Sequence, residues 1–427
     1  MRIAVIGGGY AGMAAAVELC RAGIIVELFE ASRTLGGRAR AVDLDGVRID
    51  NGAHILAGAY TETLRLLALV GGADGLRRQP LRLEYPGSMR IATPAWLPAP
   101  LHLGWALLTA RGLAAKEKIA ALRFLSRLKA RRFRLAQDET VATLLTGQPD
   151  RLRRFLWEPL CLATLNTAPD EASAQVFANV LRDTLAAGSG ASDLLLPIVD
   201  LSALFPEPAA RYLEAHGACV HRGKRIESAC RTDKSFFLDG RGPFDQVILA
   251  VAPYHVAGLI DDLPELRALA ERLAGLDWQP IVTCYLRYPR PVRLPWPMIG
   301  VAEGNAQWLF DLEALRDLPG TIAAVISARG RHQDLLPDAL AARIHTEIAA
   351  IVPHLPPPEW QRVIVEQRAT FSCRPGLQRP ATATAIPGLW LAGDYVASDY
   401  PATIEGAVRS GVRAAAAAIE QTDRPKA

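Results

Sequence analysis

The chain has 427 residues, 50% of them hydrophobic and 22% charged, with a net charge of +4, so we expect a globular protein of two domains. The small charge and the lack of basic runs interleaved with aromatic residues argue against a nucleic-acid partner. Six scattered cysteines without a C-x-x-C pair argue against metal and disulfide sites. The sequence contains no uninterrupted run of the ~20 apolar residues that a membrane-spanning helix needs.

The first thirty residues predict a dinucleotide-binding βαβ unit. A short apolar strand runs into Gly7, Gly9 and Gly12, which have G-x-G-x-x-G spacing. These glycines allow a tight turn, a close approach to a pyrophosphate and close packing of the following helix, whose N-terminus faces the phosphates. A second strand, Ile24–Phe29, ends at Glu30, where a carboxylate can bind a ribose 2′-hydroxyl. We therefore expect an adenine dinucleotide with an unphosphorylated ribose, which argues against NADP.

A predicted β-hairpin follows this unit. It comprises Ala39–Leu44 and Val47–Asp50, joined by an Asp-Gly turn, and Gly36-Gly37-Arg38 precede it.

The hydrophobic pattern divides the rest of the chain into a helical part and strand-rich parts. Helical periodicity dominates from about residue 101 to 204. Strands are predicted at Ala218–Val220, Ser235–Leu238, Gln246–Val251, Ile281–Leu286, Gln307–Phe310, Ala323–Ser327, Val363–Gln367 and Leu389–Leu391. We predict an α/β fold with two interleaved domains: a Rossmann-type nucleotide domain from 1–92, 206–265 and 382–427, and an α+β substrate domain from 93–205 and 266–381.

The C-terminal sequence indicates which dinucleotide binds. A buried strand ends at Gly393-Asp394, and an alanine-rich helix begins shortly after Pro401. Asp394 can accept hydrogen bonds from a sugar-alcohol linker, and free backbone N–H groups at Thr403 and Ile404 can stabilise negative charge on a reduced ring. This combination suits a flavin. Because we find only one complete dinucleotide fingerprint, we expect one tightly bound FAD that exchanges electrons with an external donor of unknown identity.

These motifs resemble those of the phytoene desaturase and amine oxidase superfamily, which has a glutathione-reductase-like FAD fold. Val220 matches the superfamily position whose backbone holds the adenine. The resemblance implies that FAD is also contacted by Gly7, Gly9, Gly12, Glu30, Gly36, Gly37, Arg38, Gly393 and Asp394.

The middle of the chain resembles a narrower group. Residues 158–183 and 192–220 are similar to the hydroxysqualene dehydroxylases of hopanoid biosynthesis. That family is understood to reduce the allylic C–OH of hydroxysqualene to C–H, yielding squalene and water, and the resemblance implies this activity here. Carotenoid-type polyene desaturation is the nearest alternative. An amine oxidase, which would carry a lysine near the flavin, and a non-catalytic prenyl-lipid carrier are more distant ones.

The implied reaction requires a proton for the leaving water, a hydride for the carbon and support for developing cationic character. His54 is the first candidate for the acid, because imidazole titrates near neutral pH. A structural histidine bonded to backbone is an equally good interpretation. Asp399 and Tyr400, just before the flavin-facing helix, are alternative donors. Asn166 reads better as a helix cap than as a catalytic group.

Residues 94–134 predict a membrane-docking segment. The first part is apolar with two tryptophans, and residues 111–134 carry nine basic residues against one acid. One side of the predicted helix is apolar and another is basic: Ile119, Leu122, Leu125 and Leu128 against Lys116, Arg123 and Arg127. This is typical of an interfacial helix drawn to anionic lipid, although a solvated basic helix over the protein's own core is an alternative. We expect a cytoplasmic protein held at the inner face of the cell membrane.

Overall fold

The computed structural model describes residues 1–423 except 189 and 234. Its strands are β1 Arg2–Ile6, β2 Ile25–Glu30, β3 Ala41–Leu44, β4 Val47–Asp50, β5 Leu56–Ala57, β6 Leu76–Gln79, β7 Arg82–Tyr85, β8 Met89–Ala92, β9 Leu194–Pro197, β10 Cys219–Arg222, β11 Ala229–Thr232, β12 Ser235–Leu238, β13 Arg241–Phe244, β14 Gln246–Leu249, β15 Trp278–Arg287, β16 Met298–Gly300, β17 Trp308–Asp311, β18 Thr321–Ser327, β19 Trp360–Phe371 and β20 Leu389–Leu391.

Its α-helices are α1 Tyr10–Arg21, α2 Thr61–Val70, α3 Leu101–Leu108, α4 Ala115–Ala130, α5 Val141–Leu144, α6 Asp150–Leu152, α7 Glu158–Leu165, α8 Ala174–Leu181, α9 Leu201–Leu204, α10 Pro206–Ala215, α11 Pro253–Leu259, α12 Arg267–Ala274, α13 Leu312–Arg316, α14 Pro337–Ala349 and α15 Ile404–Asp423.

The nucleotide half is a parallel sheet in the order β10-β2-β1-β14-β20. Its strands come from three separated parts of the chain and coincide with the predicted ones. Both α1 and α15 pack against this sheet through a shared apolar cluster. They approach very closely, since a Cβ on Gly411 would lie 2.1 Å from the carbonyl oxygen of Ala11. The Rossmann-type prediction is confirmed.

A second sheet has the order β16-β17-β18-β15-β19, and its pairings are antiparallel. The helix α14 covers one face through Leu340, Ala341, Ile344 and Ile348. Side chains from the opposite face, such as Tyr285 and Val325, join the large core that contains the helical region. The strands predicted within residues 266–381 are all present.

Helices dominate residues 101–204 as predicted, with one correction. Strand β9 lies within that range and pairs with β5 and β6. A leucine run ended by a proline is as compatible with a buried strand as with a helix, so periodicity could not distinguish them. Because β9 joins strands of the first segment, the proposed domain boundaries stay a prediction. Asn166 does cap α7, with a left-handed φ of 47°.

Of the four apolar residues predicted to lie on one side of α4, Ile119 and Leu122 are exposed, Leu125 is half-buried and Leu128 is buried. The buried face of α4 consists of Glu117, Ala121, Phe124 and Leu128. Phe124 sets this orientation because its ring packs against Trp157, with centroids 5.0 Å apart. Within the described part of the chain, no helix combines the length and the hydropathy needed to cross a membrane.

Candidate functional site

The first glycine turn lies between β1 and α1. Gly7 has a φ of 110°, and a Cβ at Gly12 would lie 1.9 Å from the carbonyl oxygen of Gly7. The helix therefore begins too close to the turn for any side chain at position 12. Gly9 caps α1, and a Cβ built on Gly9 has the Cα of Gly37 as its nearest atom, at 3.8 Å. The N-terminus of α1 thus has room for phosphate oxygens.

The second glycine turn packs against the first. The N–H of Gly36 donates to the carbonyl of Gly8 at 2.9 Å. Gly36 and Gly37 both have positive φ, 118° and 63°, and a Cβ on Gly37 would lie 3.3 Å from the Cα of Gly9. Two turns without side chains therefore face each other. This cradle of backbone suits a pyrophosphate.

Glu30 ends β2 beside these turns. Its carboxylate accepts hydrogen bonds from the N–H of Gly8 and the N–H of Ser32, both at 2.7 Å. Each carboxylate oxygen keeps accepting capacity for a further donor. The predicted ribose-binding acid is therefore held by backbone at the edge of the cradle.

Val220 lies in the edge strand β10, opposite Leu28 of β2. The chain then passes closer to Glu30, because the N–H of Lys224 donates to the carbonyl of Glu30 at 2.8 Å. The N–H of Gly223 donates to the carbonyl of Ser32 at 2.9 Å. The contact between Val220 and the adenine stays a prediction. The residues that contact the segment around Glu30 lie in the turn after β10.

The third part of the site joins the two ends of the chain. Arg38 donates to Asp394 at 2.6 Å and to the carbonyl oxygen of Ala369 at 2.7 Å. Burial opposes the charge of Arg38, but the Asp394 carboxylate outweighs it and raises the pKa of the guanidinium. Asp394 itself is buried. The two motifs predicted to hold the cofactor thus bind each other directly.

The N-terminus of α15 supplies backbone donors. The hydroxyl of Thr403 accepts a hydrogen bond from the N–H of Gly406 at 3.1 Å, which caps the helix. Among the described residues, the N–H groups of Thr403 and Ile404 have no protein acceptor. They can therefore bind an anion, assisted by the positive end of the helix dipole.

His54 lies in the loop after the hairpin. Its Nδ1 is 2.7 Å from the carbonyl oxygen of Gly52, so Nδ1 carries the hydrogen, and Nε2 is the atom that gains a proton when the ring becomes charged. Burial, and secondarily the charge of Arg38, lower the pKa of His54. A Cβ on Gly52 would lie 3.5 Å from the hydroxyl of Thr283 and 3.8 Å from Cε1 of His54. The Thr283 hydroxyl is buried and has no partner among the described residues.

Asp399 and Tyr400 line a different cleft, of about 610 Å³, whose walls include Arg182 and Arg409 but not His54. The Asp399 side chain is 71% exposed and lies 3.7 Å from Arg182. The guanidinium of Arg409 stacks 4.8 Å from the ring of Tyr400, while burial raises the pKa of Tyr400. The three candidate acids therefore do not form one cluster.

The sequence matches the family described as flavin containing amine oxidoreductase over residues 10–419. The chain belongs to this family. It is 32% identical to the hydroxysqualene dehydroxylase of Sinorhizobium fredii over 98% of both chains, and 34% identical to that of Rhodopseudomonas palustris over 96% of both. A zeta-carotene desaturase of Synechocystis is 26% identical over 99% of this chain and 98% of its own.

The fold agrees with this family. The structure of cyclohexylamine oxidase from Brevibacterium oxydans superposes with a TM-score of 0.70 at 18% identity, covering 99% of each chain. The chain described here is therefore a flavin-dependent oxidoreductase, and its cofactor is FAD. The glycine cradle that any Cβ would fill, the ribose-side acid Glu30 and the free N–H groups of α15 fit its pyrophosphate, its adenosine and its flavin.

Several residues that build the site carry no signal that sequence reasoning used. Ser410 of α15 accepts a hydrogen bond from the N–H of Gly393 at 2.7 Å. Glu405 is fully buried and accepts from the backbone N–H groups of Glu62 and Thr63, which fixes α15 to α2. Arg379 binds the loop after Asp394. The signal that could have identified these residues is that each is polar and lies in an otherwise apolar or proline-rich stretch of the sequence.

Proposed function

We propose that this enzyme reduces hydroxysqualene to squalene. The observation that carries the proposal is full-length identity of 32–34% to two hydroxysqualene dehydroxylases. The conversion breaks one C–O bond, forms one C–H bond, and releases the hydroxyl as water after it accepts a proton. Bound FAD in its reduced form supplies the hydride. The single dinucleotide fingerprint means that an external donor must provide the two electrons.

The protein residues hold the charge that this chemistry creates. The N–H groups of Thr403 and Ile404 can stabilise negative charge at the start of α15, and the ion pair of Arg38 and Asp394 keeps that end of the site next to the glycine turns. Water is excluded where these groups are buried, which strengthens each interaction.

His54 is the proton donor that we favour. Its Nδ1–H is held by Gly52, so Nε2 is free to pass a proton to a leaving hydroxyl. The unpartnered hydroxyl of Thr283, on the same side of Gly52, can hold the departing water. Because the pKa of His54 is lowered, the ring is mainly neutral at pH 7 and becomes the competent acid as the pH falls. Asp399 is a weaker candidate because it is exposed, and Tyr400 shares its cleft.

The test uses enzyme reduced anaerobically with dithionite and mixed with hydroxysqualene. We expect reoxidation of the flavin and release of squalene in equal amounts. Flavin that stays reduced, together with oxidised enzyme that desaturates a polyene, would instead support the carotenoid-type reaction.

The proton donor is tested with the same assay. His54→Ala should retain FAD but lose turnover by about 10²–10⁴-fold, as expected for a general acid. In the wild type, turnover should rise as the pH falls from 7 towards 6, and this rise should be absent in the variant. The matched control is His216→Ala, since His216 is exposed at the end of α10 and, among the described residues, its ring bonds only to the carbonyl of Tyr212. If His54→Ala keeps the wild-type turnover rate, the proton donor is Tyr400 or Asp399 instead.

We also propose that the segment from Trp96 to Arg132 docks on an anionic membrane, from which a C30 substrate would enter. Trp96 is 71% exposed and Leu108 is 67% exposed, and Ile119 and Leu122 on the outward side of α4 are 47% and 44% exposed. This outward side of α4 carries mostly apolar and basic side chains: Ile119, Leu122, Arg123, Ser126, Arg127 and Ala130. Exposed apolar side chains beside cations are typical of an interfacial helix.

Liposome sedimentation tests the docking. Changing Arg123, Arg127, Arg131 and Arg132 to Gln should weaken binding to anionic vesicles, because each cation contributes about 1 kcal/mol near such a surface. Added salt should weaken the wild type in the same way. Leu336→Ser is the control, since Leu336 is 77% exposed outside this segment. If the arginine variant binds anionic vesicles as well as the wild type does, the basic side of α4 faces solvent and does not dock on the membrane.

A further inference from the structure

The loop of residues 394–400, here called the C-terminal cofactor loop, has no regular secondary structure between β20 and α15. One side chain connects its two ends. Nη1 of Arg379 donates to the carbonyl oxygen of Tyr400 at 2.9 Å and to that of Asp394 at 3.3 Å, while Nη2 donates to that of Ser398. The guanidinium thus binds the beginning, the middle and the end of the loop.

Arg379 forms no direct ion pair in the described part of the chain. No carboxylate oxygen there lies within 4.0 Å of its guanidinium, although many other arginines of the protein do form such pairs. Its guanidinium also lies over the ring of Phe371, whose centroid is 5.2 Å from the guanidinium carbon. Burial lowers the pKa of Arg379, but a guanidinium stays protonated in proteins. A partly buried positive charge therefore has no direct ion pair, although the charges of Asp394 and Asp399 favour it from a greater distance.

The position of this charge indicates which group it serves. The loop begins at Asp394, which contacts Arg38, and it leads through Pro401 into the free N–H groups of α15. A shift of the loop would move the acid and the helix terminus together, since both are attached to it. A guanidinium is suited to this task because its planar donors can bind several carbonyls at once.

We propose that Arg379 is a positioning residue for FAD: it sets the shape of the C-terminal cofactor loop, and its charge, which no direct ion pair neutralises, favours the reduced, anionic flavin. The inference depends on FAD binding and not on the identity of the lipid substrate. Two effects follow from it. Loss of the fork geometry should weaken FAD binding, and loss of the charge should make the flavin harder to reduce.

Two substitutions separate these effects. Arg379→Lys keeps the charge but cannot reach three carbonyls with planar geometry, so we expect weaker FAD binding with a nearly unchanged midpoint potential. Arg379→Gln loses both, so we expect at least tenfold weaker FAD binding and a more negative potential. A tenfold loss of preference for the reduced form corresponds to about 30 mV for a two-electron couple.

The matched control is Arg413→Gln. Arg413 is exposed on α15 and donates to one carbonyl of the same loop, that of Ala397, at 3.3 Å. FAD affinity is measured by titrating apoprotein with FAD, and the potential by anaerobic dye equilibration. The control should match the wild type in both.

Each outcome decides between the roles. Wild-type affinity and potential in Arg379→Gln would overturn the inference, and an equal loss in Arg413→Gln would reduce it to a general effect of surface charge. If Arg379→Gln does not fold, Arg379→Lys decides: wild-type FAD affinity overturns the positioning role, and a strongly lowered potential overturns the charge role. Neither measurement uses hydroxysqualene, so failure here is distinct from failure of the proposed reaction.

Discussion

The two halves of the FAD site are held together in different ways. The N-terminal half depends on backbone contacts between residues close in sequence: the N–H of Gly7 donates to the carbonyl of Phe29 at 2.8 Å, and that of Gly36 to the carbonyl of Gly8 at 2.9 Å. The C-terminal half depends on side chains from distant parts of the chain. Arg38, Arg379 and Ser410 bind the Gly393-Asp394 turn or the loop that follows it.

This difference predicts how each half responds to mutation. The glycine turns need no particular side chains but tolerate no added atoms where backbones touch. The C-terminal cofactor loop should instead lose its shape when a distant polar group is removed. Steric substitutions should therefore disrupt the first half, and the loss of hydrogen bonds should disrupt the second.

The largest effect is expected for Gly12→Ala. The added Cβ would lie 1.9 Å from the carbonyl oxygen of Gly7, so α1 must move away from β1 at the centre of the sheet. We expect loss of FAD and of most folded protein, measured by flavin absorbance and circular dichroism. The control is Gly104→Ala, because Gly104 lies inside α3 with no atom within 4 Å of an added Cβ. A yellow, stable Gly12→Ala protein would contradict the packing argument.

Gly9→Arg should separate cofactor binding from folding. The nearest atom to a Cβ at this position is 3.8 Å away, so the backbone need not move. The long side chain would fill the cradle between the two glycine turns, where we place the pyrophosphate. We expect a folded, colourless protein with a thermal transition close to that of the wild-type apoprotein. Full flavin absorbance in this variant would mean that the pyrophosphate binds elsewhere.

The sequence predicted those parts of the fold that are specified locally. The glycine spacing and the apolar run of β14 each reflect interactions within a few residues, and the structure has both. The strand β9 and the orientation of α4 were missed because tertiary contacts decide them. Phe124 turns inward because Trp157 is there, which no helical period reveals.

The candidate site follows the same rule. Gly7, Glu30 and Asp394 were identified because each ends a strand in a recognisable pattern. Their mutual contacts were not, because Arg38 and Asp394 are 356 positions apart and a single sequence gives no pairing between them. The roles of His54 and Val220 remain predictions that only experiment can test.

Arg38→Gln tests the link between the two halves. It leaves the buried carboxylate of Asp394 without a cation, and breaking such a pair typically costs about 3 kcal/mol. We expect a lower denaturant midpoint and weaker FAD binding. The double variant with Asp394→Asn should recover part of the lost stability, because no unpaired charge remains. Strictly additive losses would show that the pair does not couple the halves.

The smallest effect is expected for Ser410→Ala in α15. Its hydroxyl donates to the carbonyl of Ala407 and accepts from the N–H of Gly393, both at 2.7 Å. Removal leaves that buried N–H without a partner, which should cost about 1–2 kcal/mol in urea unfolding while FAD is retained. Thr346→Ala is the control, since its exposed hydroxyl makes only the bond within its own helix, to Ala342. If both variants lose the same free energy of unfolding, the effect comes from the bond within the helix, and the hydrogen bond from Gly393 to Ser410 does not contribute to stability.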